Sequence, residues 1–254
     1  MALRDAVYGA AVGDALGVPY EFKARGSFEC TGMVGFTGFH FQPTGTWSDD
    51  TALLLATSAS IKAKGGRVDV ADIRLNFEAW YYDGEFAIDK NVFDVGNSTA
   101  GAITEGIGRS GVNSNGNGSL MRIAPLAYTD ASDDVIREVS AITHAHEISC
   151  EACVQFVHIL RNPALAQEVE LPSSIDQVKS SGFVKHTFEA AIWCFTHTSN
   201  YRDCVLMAVN MGDDTDTTAC VAGALAGEVY GYDAIPAEWL EVLRGKDIIE
   251  RCLF

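Results

Sequence analysis

Apolar residues recur at helical spacing along almost the whole chain, and alternating Val/Ile/Thr runs bounded by turns hardly occur. Such a chain has no strands from which to build a sheet. It must bury its apolar stripes helix against helix, so its fold class is all-α. The spacing predicts helices at 1–18, 50–64, 71–82, 98–108, 119–127, 133–142, 147–161, 183–197, 201–210, 216–231 and 236–250. The first, from Met1 to Val18, sets Leu3, Val7, Ala11 and Ala15 on one stripe, and its small residues let a neighbouring backbone come close. Three stretches break the periodicity: 23–49, where Gly26, Gly32, Gly35, Gly38 and Gly45 alternate with phenylalanines, then 109–118 and 163–182. Long loops in a compact chain tend to be functional or mobile. No repeat, low-complexity tract or charged linker divides residues 1–254, which therefore read as a single domain.

Hydrophobic residues make up 48 % and charged residues 20 %, a globular rather than a disordered composition. The 34 acids outnumber the 18 bases, for a formal charge of −16. That is the reverse of the basic footprint nucleic-acid binding needs, so no nucleic-acid partner is expected. The excess of acids means either solubility alone or carboxylates gathered around cations. Seven cysteines are an odd set in a chain large enough for an ordinary core, and they read as reduced core thiols. Asp5 and Asp14 interrupt what would otherwise be a signal-like stretch, and no segment is apolar enough for a membrane helix. The expectation is a cytoplasmic, soluble protein with no membrane partner, monomeric by default.

The acids are not evenly spread. Thr46-Trp47-Ser48-Asp49-Asp50-Thr51 sits where the Gly-rich loop meets a helix, and Gly212-Asp213-Asp214-Thr215-Asp216-Thr217 precedes a second, small-residue helix. Ser and Asp at helix starts ordinarily cap them and complement the dipole. A cap uses one side-chain oxygen, however, and here five aspartates crowd two short segments. If the two helix starts meet, the carboxylates repel one another unless cations neutralise them. Oxygen ligands of this kind suit Mg²⁺ or Mn²⁺, and their number suffices for two ions.

A third segment, Gly116-Asn117-Gly118-Ser119-Leu120-Met121-Arg122, is a Gly-rich loop that could cradle an anion with its amides, with Arg122 as counter-charge, or could simply be a turn. Gly13 to Phe22 ends a helix and places Glu21 at the entrance of the Gly/Phe loop, and Thr143-His144 ends another helix. His144, His146, Cys150 and Cys153 have a spacing that could bind zinc. On a helix they give poor tetrahedral geometry, and buried thiols explain the two cysteines better.

Taken in order, GDALGVPYEF, GTWSDDT, FDVGNST, GNGSLMR, TH and GDDTDTTACVAGALAGEVYG resemble the ADP-ribosylglycohydrolase family across residues 13–231. The paired acid motifs are specific; GNG and TH alone are not. The resemblance implies a compact orthogonal helical bundle with two Mg²⁺ or Mn²⁺ ions at the bottom of a cleft. It also implies hydrolysis of the bond between the anomeric carbon of ADP-ribose and an acceptor, often a protein arginine. By position, the metal ligands are Ser48, Asp49, Asp50, Asp214, Asp216 and Thr217. Asp213 is not among them, and Ser48 stands where many members have Thr.

The same resemblance implies that the ions grip the ribose hydroxyls and position a water. A nearby carboxylate then stabilises the oxocarbenium-like state and moves protons. Glu21 and Asp94 are the candidates, with Asp49 beside them; Asp94 could instead hold the arginine guanidinium, and plain structural roles stay open for both. Gly116, Asn117, Gly118, Ser119, Met121 and Arg122 would line the diphosphate path, and His144 would contact the adenosine or its ribose unless it is merely packed. Trp47, Phe36 and Phe39 could stack on adenine or belong to the loop's own core. The substrate would be an ADP-ribosylated protein or a small ADP-ribosyl compound. Serine-linked or O-acetyl ADP-ribose and a silent ADP-ribose binder are the rival readings.

Overall fold

The computed structural model describes residues 2–254, so Met1, the first residue of the first expected helix, lies outside them. Among the described residues eleven α-helices form: α1 (Leu3–Gly17), α2 (Asp49–Ala63), α3 (Val70–Asp83), α4 (Asn97–Glu105), α5 (Asp133–Ala141), α6 (Glu147–Arg161), α7 (Val184–Thr196), α8 (Tyr201–Asn210), α9 (Thr215–Tyr230), α10 (Ala237–Val242) and α11 (Lys246–Cys252). Among the described residues there is no strand, only isolated bridges between Arg109 and His144 and between Gly116 and Phe183. The all-α expectation holds.

At the centre lie α1 and α9, both buried almost all round. They touch backbone to backbone. A Cβ added at Gly9 would lie 2.2 Å from the Gly223 carbonyl oxygen, one at Gly13 2.0 Å from the Ala219 oxygen, and one at Gly17 2.3 Å from the Asp216 Cα. Glycines four residues apart on α1 thus form a groove into which α9 sinks, with Gly223 and Gly227 answering from the other side. The Tyr201 hydroxyl donates to the Gly9 carbonyl at 2.6 Å, and the Thr215 hydroxyl to the Gly17 carbonyl at 2.8 Å. Around this pair α2, α7 and α8 complete one apolar core.

Two expected helices change form. The 119–127 stretch is a series of tight turns followed by a 3₁₀ segment, Ala124–Tyr128, with bonds such as Leu120 N–H to Asn117 and Leu126 N–H to Ile123. Pro125 lacks the N–H that an α-helix there would use. The 236–250 helix divides into α10 and α11 at Gly245, whose φ of 64° is left-handed. Trp47 packs so closely there that a Cβ would lie 2.8 Å from its ring. The 163–182 stretch holds only the short 3₁₀ turns Pro163–Glu168 and Ile175–Gln177. All seven cysteines are free and buried, as expected of core thiols.

Candidate active site

The last turn of α1 is the strut on which the site is built. Asp14, wholly buried, turns its carboxylate toward the start of α2 and accepts from Ser48 N–H (2.9 and 3.1 Å), Thr51 N–H (3.0 Å) and the Thr51 hydroxyl (2.6 Å). Ser48 adds its own cap, its hydroxyl oxygen accepting from Asp50 N–H at 3.3 Å. These two residues take up the N–H groups of Asp50 and Thr51, so the Asp49 and Asp50 side chains are not needed as caps. One turn further along α1, Gly17 seats the start of α9. The two acid motifs consequently meet: the Thr217 hydroxyl donates to Asp50 Oδ2 at 3.3 Å, and the Ser48 hydroxyl reaches the same oxygen at 3.1 Å.

Several carboxylate oxygens in this cluster have no protein partner. Asp50 Oδ1, Asp214 Oδ1 and Asp216 Oδ2 are buried without a hydrogen bond. A buried, unpaired carboxylate oxygen is costly, and three of them in one acid cluster call for a cation. Burial pushes Asp49, Asp50 and Asp216 well above the usual carboxylate range, with neighbouring carboxylates adding to it, and raises Asp214. Asp14 is pushed up to about 6 by burial despite its hydrogen bonds. An all-oxygen set of this kind fits hard divalent ions.

Beside the cluster runs a second group. Glu21 follows the 3₁₀ turn Val18–Tyr20, and its loop is clipped to the start of α9 by Phe22 N–H to Asp213 O and Asp213 N–H to Lys23 O, both 2.8 Å. His40 Nε2 hydrogen-bonds Glu21 and stands 3.5 Å from Asp94 Oδ1. Asp94 is held in left-handed backbone with φ 60°. Burial raises Glu21 to about 8, with the Asp214 charge second, and Asp94 to about 7, with Glu21 second. Ligand atoms of Glu21, Asp214 and Asp216 lie within 4.8 Å of one another, as do those of Glu21, His40 and Asp94.

Most of these groups line one end of a cleft of about 360 Å³, which Asp216 and His40 do not line. Its walls include Glu21, Asp49, Asp50, Asp94, Asp214 and Thr217, together with Gly116, Asn117, Gly118, Met121 and His144. Asn117 Nδ2 donates to Asp214 Oδ2 (2.9 Å) and to the Thr187 hydroxyl (2.8 Å), which joins the GNG loop to the acid cluster. Gly118 lets His144 approach, since a Cβ there would lie 2.9 Å from the imidazole.

Two expected cleft residues lie elsewhere. Arg122 is fully buried, donates to the Val139 carbonyl (3.3 Å) and the Thr143 hydroxyl (2.8 Å), and stacks on Phe77; it does not reach a diphosphate path. Ser119 is likewise buried, bonded to Ser140 and Cys153. Along these tight turns Asn117, Gly118 and Met121 face the cleft, whereas Ser119, Leu120 and Arg122 are buried away from it. Trp47 is core, donating to the Arg244 carbonyl at 3.0 Å, whereas Phe36 and Phe39 are exposed. The zinc alternative is not supported: His146 caps α6, His144 faces the cleft, and Cys150 and Cys153 bond elsewhere.

Sequence reasoning did not assign Asp14 and His40 to the site. Both left a signal: Asp14 is an acid in the apolar part of α1, beyond Asp5 in its first turn, and His40 is the one ionisable residue between Cys30 and Asp49.

The chain belongs to the ADP-ribosylglycohydrolase family, whose model matches residues 2–170 and 160–253, and it is a glycosidic-bond hydrolase of that family. It is 32 % identical to the ADP-ribosylarginine hydrolase of Pseudomonas putida over 98 % of this chain and 76 % of that protein. It is also 32 % identical to the ADP-ribosyl-[dinitrogen reductase] glycohydrolase of Rhodospirillum rubrum, over 94 % of this chain and 88 % of that one. A solved ADP-ribosylglycohydrolase-related protein complex superposes with a TM-score of 0.80 at 28 % identity, covering 98 % of this chain and 95 % of the other. No described helix is long and apolar enough to cross a membrane.

Proposed function

We propose that this chain is a metal-dependent hydrolase that removes ADP-ribose from arginine side chains. The observation that carries the reading is the meeting of the two acid motifs beside the cleft, where Asp50, Asp214 and Asp216 each keep a buried carboxylate oxygen without a partner. With Ser48, Asp49 and Thr217 they form the set that would hold two Mg²⁺ or Mn²⁺ ions. When bound, the ions supply Lewis acidity toward the ribose hydroxyls and a water. The arginine acceptor is supported by the relatives named ADP-ribosylarginine hydrolase, from Pseudomonas putida and Serratia proteamaculans.

In this reading Glu21 and Asp94 stand at the reacting end. Both have affinities for protons raised into the neutral range, where a group can both give and take a proton. One of them gives a proton to the leaving guanidine and takes one from the attacking water, while the neighbouring carboxylate charge stabilises the oxocarbenium-like state. The amides of Gly116 and Gly118 and the side chains of Asn117 and His144 orient the nucleotide, and Met121 packs against it. The protein acts as a single-domain monomer, and its seven buried thiols support a reducing compartment such as the cytoplasm.

The deciding experiment incubates the protein with arginine-, serine- and O-acetyl-linked ADP-ribose, with Mg²⁺, Mn²⁺ or EDTA, and measures free ADP-ribose. Release from the arginine conjugate that EDTA abolishes is expected. Release from none of them with metal present sinks the hydrolase reading, and release only from another linkage sinks the arginine assignment.

A further inference from the structure

Arg122 presents an energetic problem. It is fully buried, and burial lowers its guanidinium only to about 10, so it stays charged at neutral pH. Its described partners are the Val139 carbonyl, the Thr143 hydroxyl and the face of Phe77, none of them negatively charged. A buried charge held only by neutral groups is expensive.

The partners of Thr143 show what the charge accomplishes. A guanidinium can only donate, so Thr143 Oγ1 accepts from Arg122 Nη2 at 2.8 Å. The hydroxyl proton is then free for the other neighbour, His144 Nδ1, also at 2.8 Å. A nitrogen that accepts is unprotonated, and burial, with the Arg122 charge second, keeps the imidazole neutral by lowering it to about 3. A neutral imidazole with Nδ1 bare carries its proton on Nε2. His144 lines the cleft, and its Nε2 lies on the side of Gly116, where an added Cβ would come within 3.3 Å of that atom.

We infer that Arg122 and Thr143 are positioning residues that lock His144 as an Nε2–H donor into the cleft, presented to an oxygen acceptor of the bound nucleotide, a hydroxyl or a phosphate oxygen. The inference rests on the proposed nucleotide substrate for the identity of the acceptor, while the tautomer is inferred from the hydrogen-bond chain, in which the Thr143 hydroxyl proton has no described acceptor other than His144 Nδ1. It also gives Arg122 a function its burial seemed to remove: it acts on the ligand through two intervening groups.

The test uses the full chain and three proteins: wild type, Thr143→Ser and the near-isosteric Thr143→Val. Long-range ¹H–¹⁵N correlation spectra of the imidazole should show the Nε2-protonated tautomer in wild type and Thr143→Ser, and a shift toward Nδ1 protonation in Thr143→Val. A wild-type His144 protonated on Nδ1 overturns the inference without any variant, so it stays decidable even if Thr143→Val does not fold. Calorimetric affinity for ADP-ribose with Mg²⁺ should fall about tenfold in Thr143→Val, the loss of one well-placed hydrogen bond, and stay within about twofold in Thr143→Ser. Equal affinity of all three proteins overturns the donor role. ADP and adenosine locate the acceptor: weakening for ADP but not adenosine assigns a phosphate oxygen, and weakening for both assigns a ribose hydroxyl. A wild type that binds ADP-ribose but hydrolyses no conjugate refutes the proposed activity and leaves the tautomer result standing.

Discussion

Substituting Gly17 by alanine should harm both the fold and the site, and by separable amounts. A Cβ at this position would lie 2.3 Å from the Asp216 Cα and 2.4 Å from its nitrogen, where ordinary contact begins near 3.4 Å. The start of α9 must therefore retreat by about 1.1 Å, or α1 must tilt by as much; overpacking of this kind costs about 1–3 kcal/mol. Alanine's better helix propensity returns at most about 1 kcal/mol, so the net loss is on the order of 1–2 kcal/mol. For a chain of this size that lowers Tm by roughly 2–8 °C. The displacement falls on Asp216 itself, so Mn²⁺ affinity measured by calorimetry should fall as well, at least tenfold. Gly9→Ala makes the matched comparison. Its Cβ would lie 2.2 Å from the Gly223 carbonyl, an equal intrusion two turns from the acids, so it should cost similar stability and leave metal affinity of the folded protein nearly unchanged. Gly101→Ala in α4 meets first the flexible end of the Arg109 side chain and should leave Tm unchanged or raised. A rise in Tm for Gly17→Ala, or equal loss of metal affinity in Gly9→Ala, refutes the idea that backbone contact between α1 and α9 sets the position of the acids.

The metal-free protein should become more stable as pH falls. Asp14, Asp94 and Glu21 have folded-state values raised to about 6, 7 and 8, so the folded chain holds protons that the unfolded chain has released; stability is full below about pH 4 and lost as pH rises through 6–8. Thermal melts in EDTA should show this slope and melts in Mg²⁺ should flatten or reverse it; a melting temperature that rises with pH in EDTA contradicts the assignment. Asp14→Asn leaves a single acceptor oxygen for the donors of Ser48 and Thr51 and should cost about 1–3 kcal/mol in urea unfolding. An unchanged midpoint there means that Asp14 does not hold the start of α2. His40→Ala frees Glu21 and Asp94 from their common neighbour and should lower kcat about 100-fold with KM within about threefold; steady-state kinetics showing a KM change alone count against it.

Much of the fold is readable from local pattern, because helical periodicity and small-residue runs are local statements. The glycines of α1 showed that a backbone would approach, although nothing local said that α9 would be the neighbour. The errors came where tertiary demands overrode periodicity: at Pro125, and at Gly245, where Trp47 leaves no room for a side chain. At the site, the two acid motifs announced themselves by crowding more carboxylates than caps require. Arg122 misled because a motif states which residues are near a loop and not which way each side chain points. His40 and Asp14 were visible as isolated ionisable groups in apolar segments, but their partners lie 19 and 34 or more residues away in sequence. Only the folded chain brings those pairs together.

The glycine seam between α1 and α9 also has a consequence for how the molecule comes into being. Helical bundles usually fold fast because most of their contacts join near neighbours along the chain. Here the innermost contact joins Gly9 to Gly223, so the middle of the bundle cannot close until nearly the entire polypeptide is available. During synthesis the earliest helix emerges with its glycine groove open, and the floor of the cleft has no second wall until α9 arrives. The site is thus among the last things this chain makes: a nascent chain stopped before residue 215 can join Asp14 to the start of α2 but has nothing to seat in the groove at Gly17.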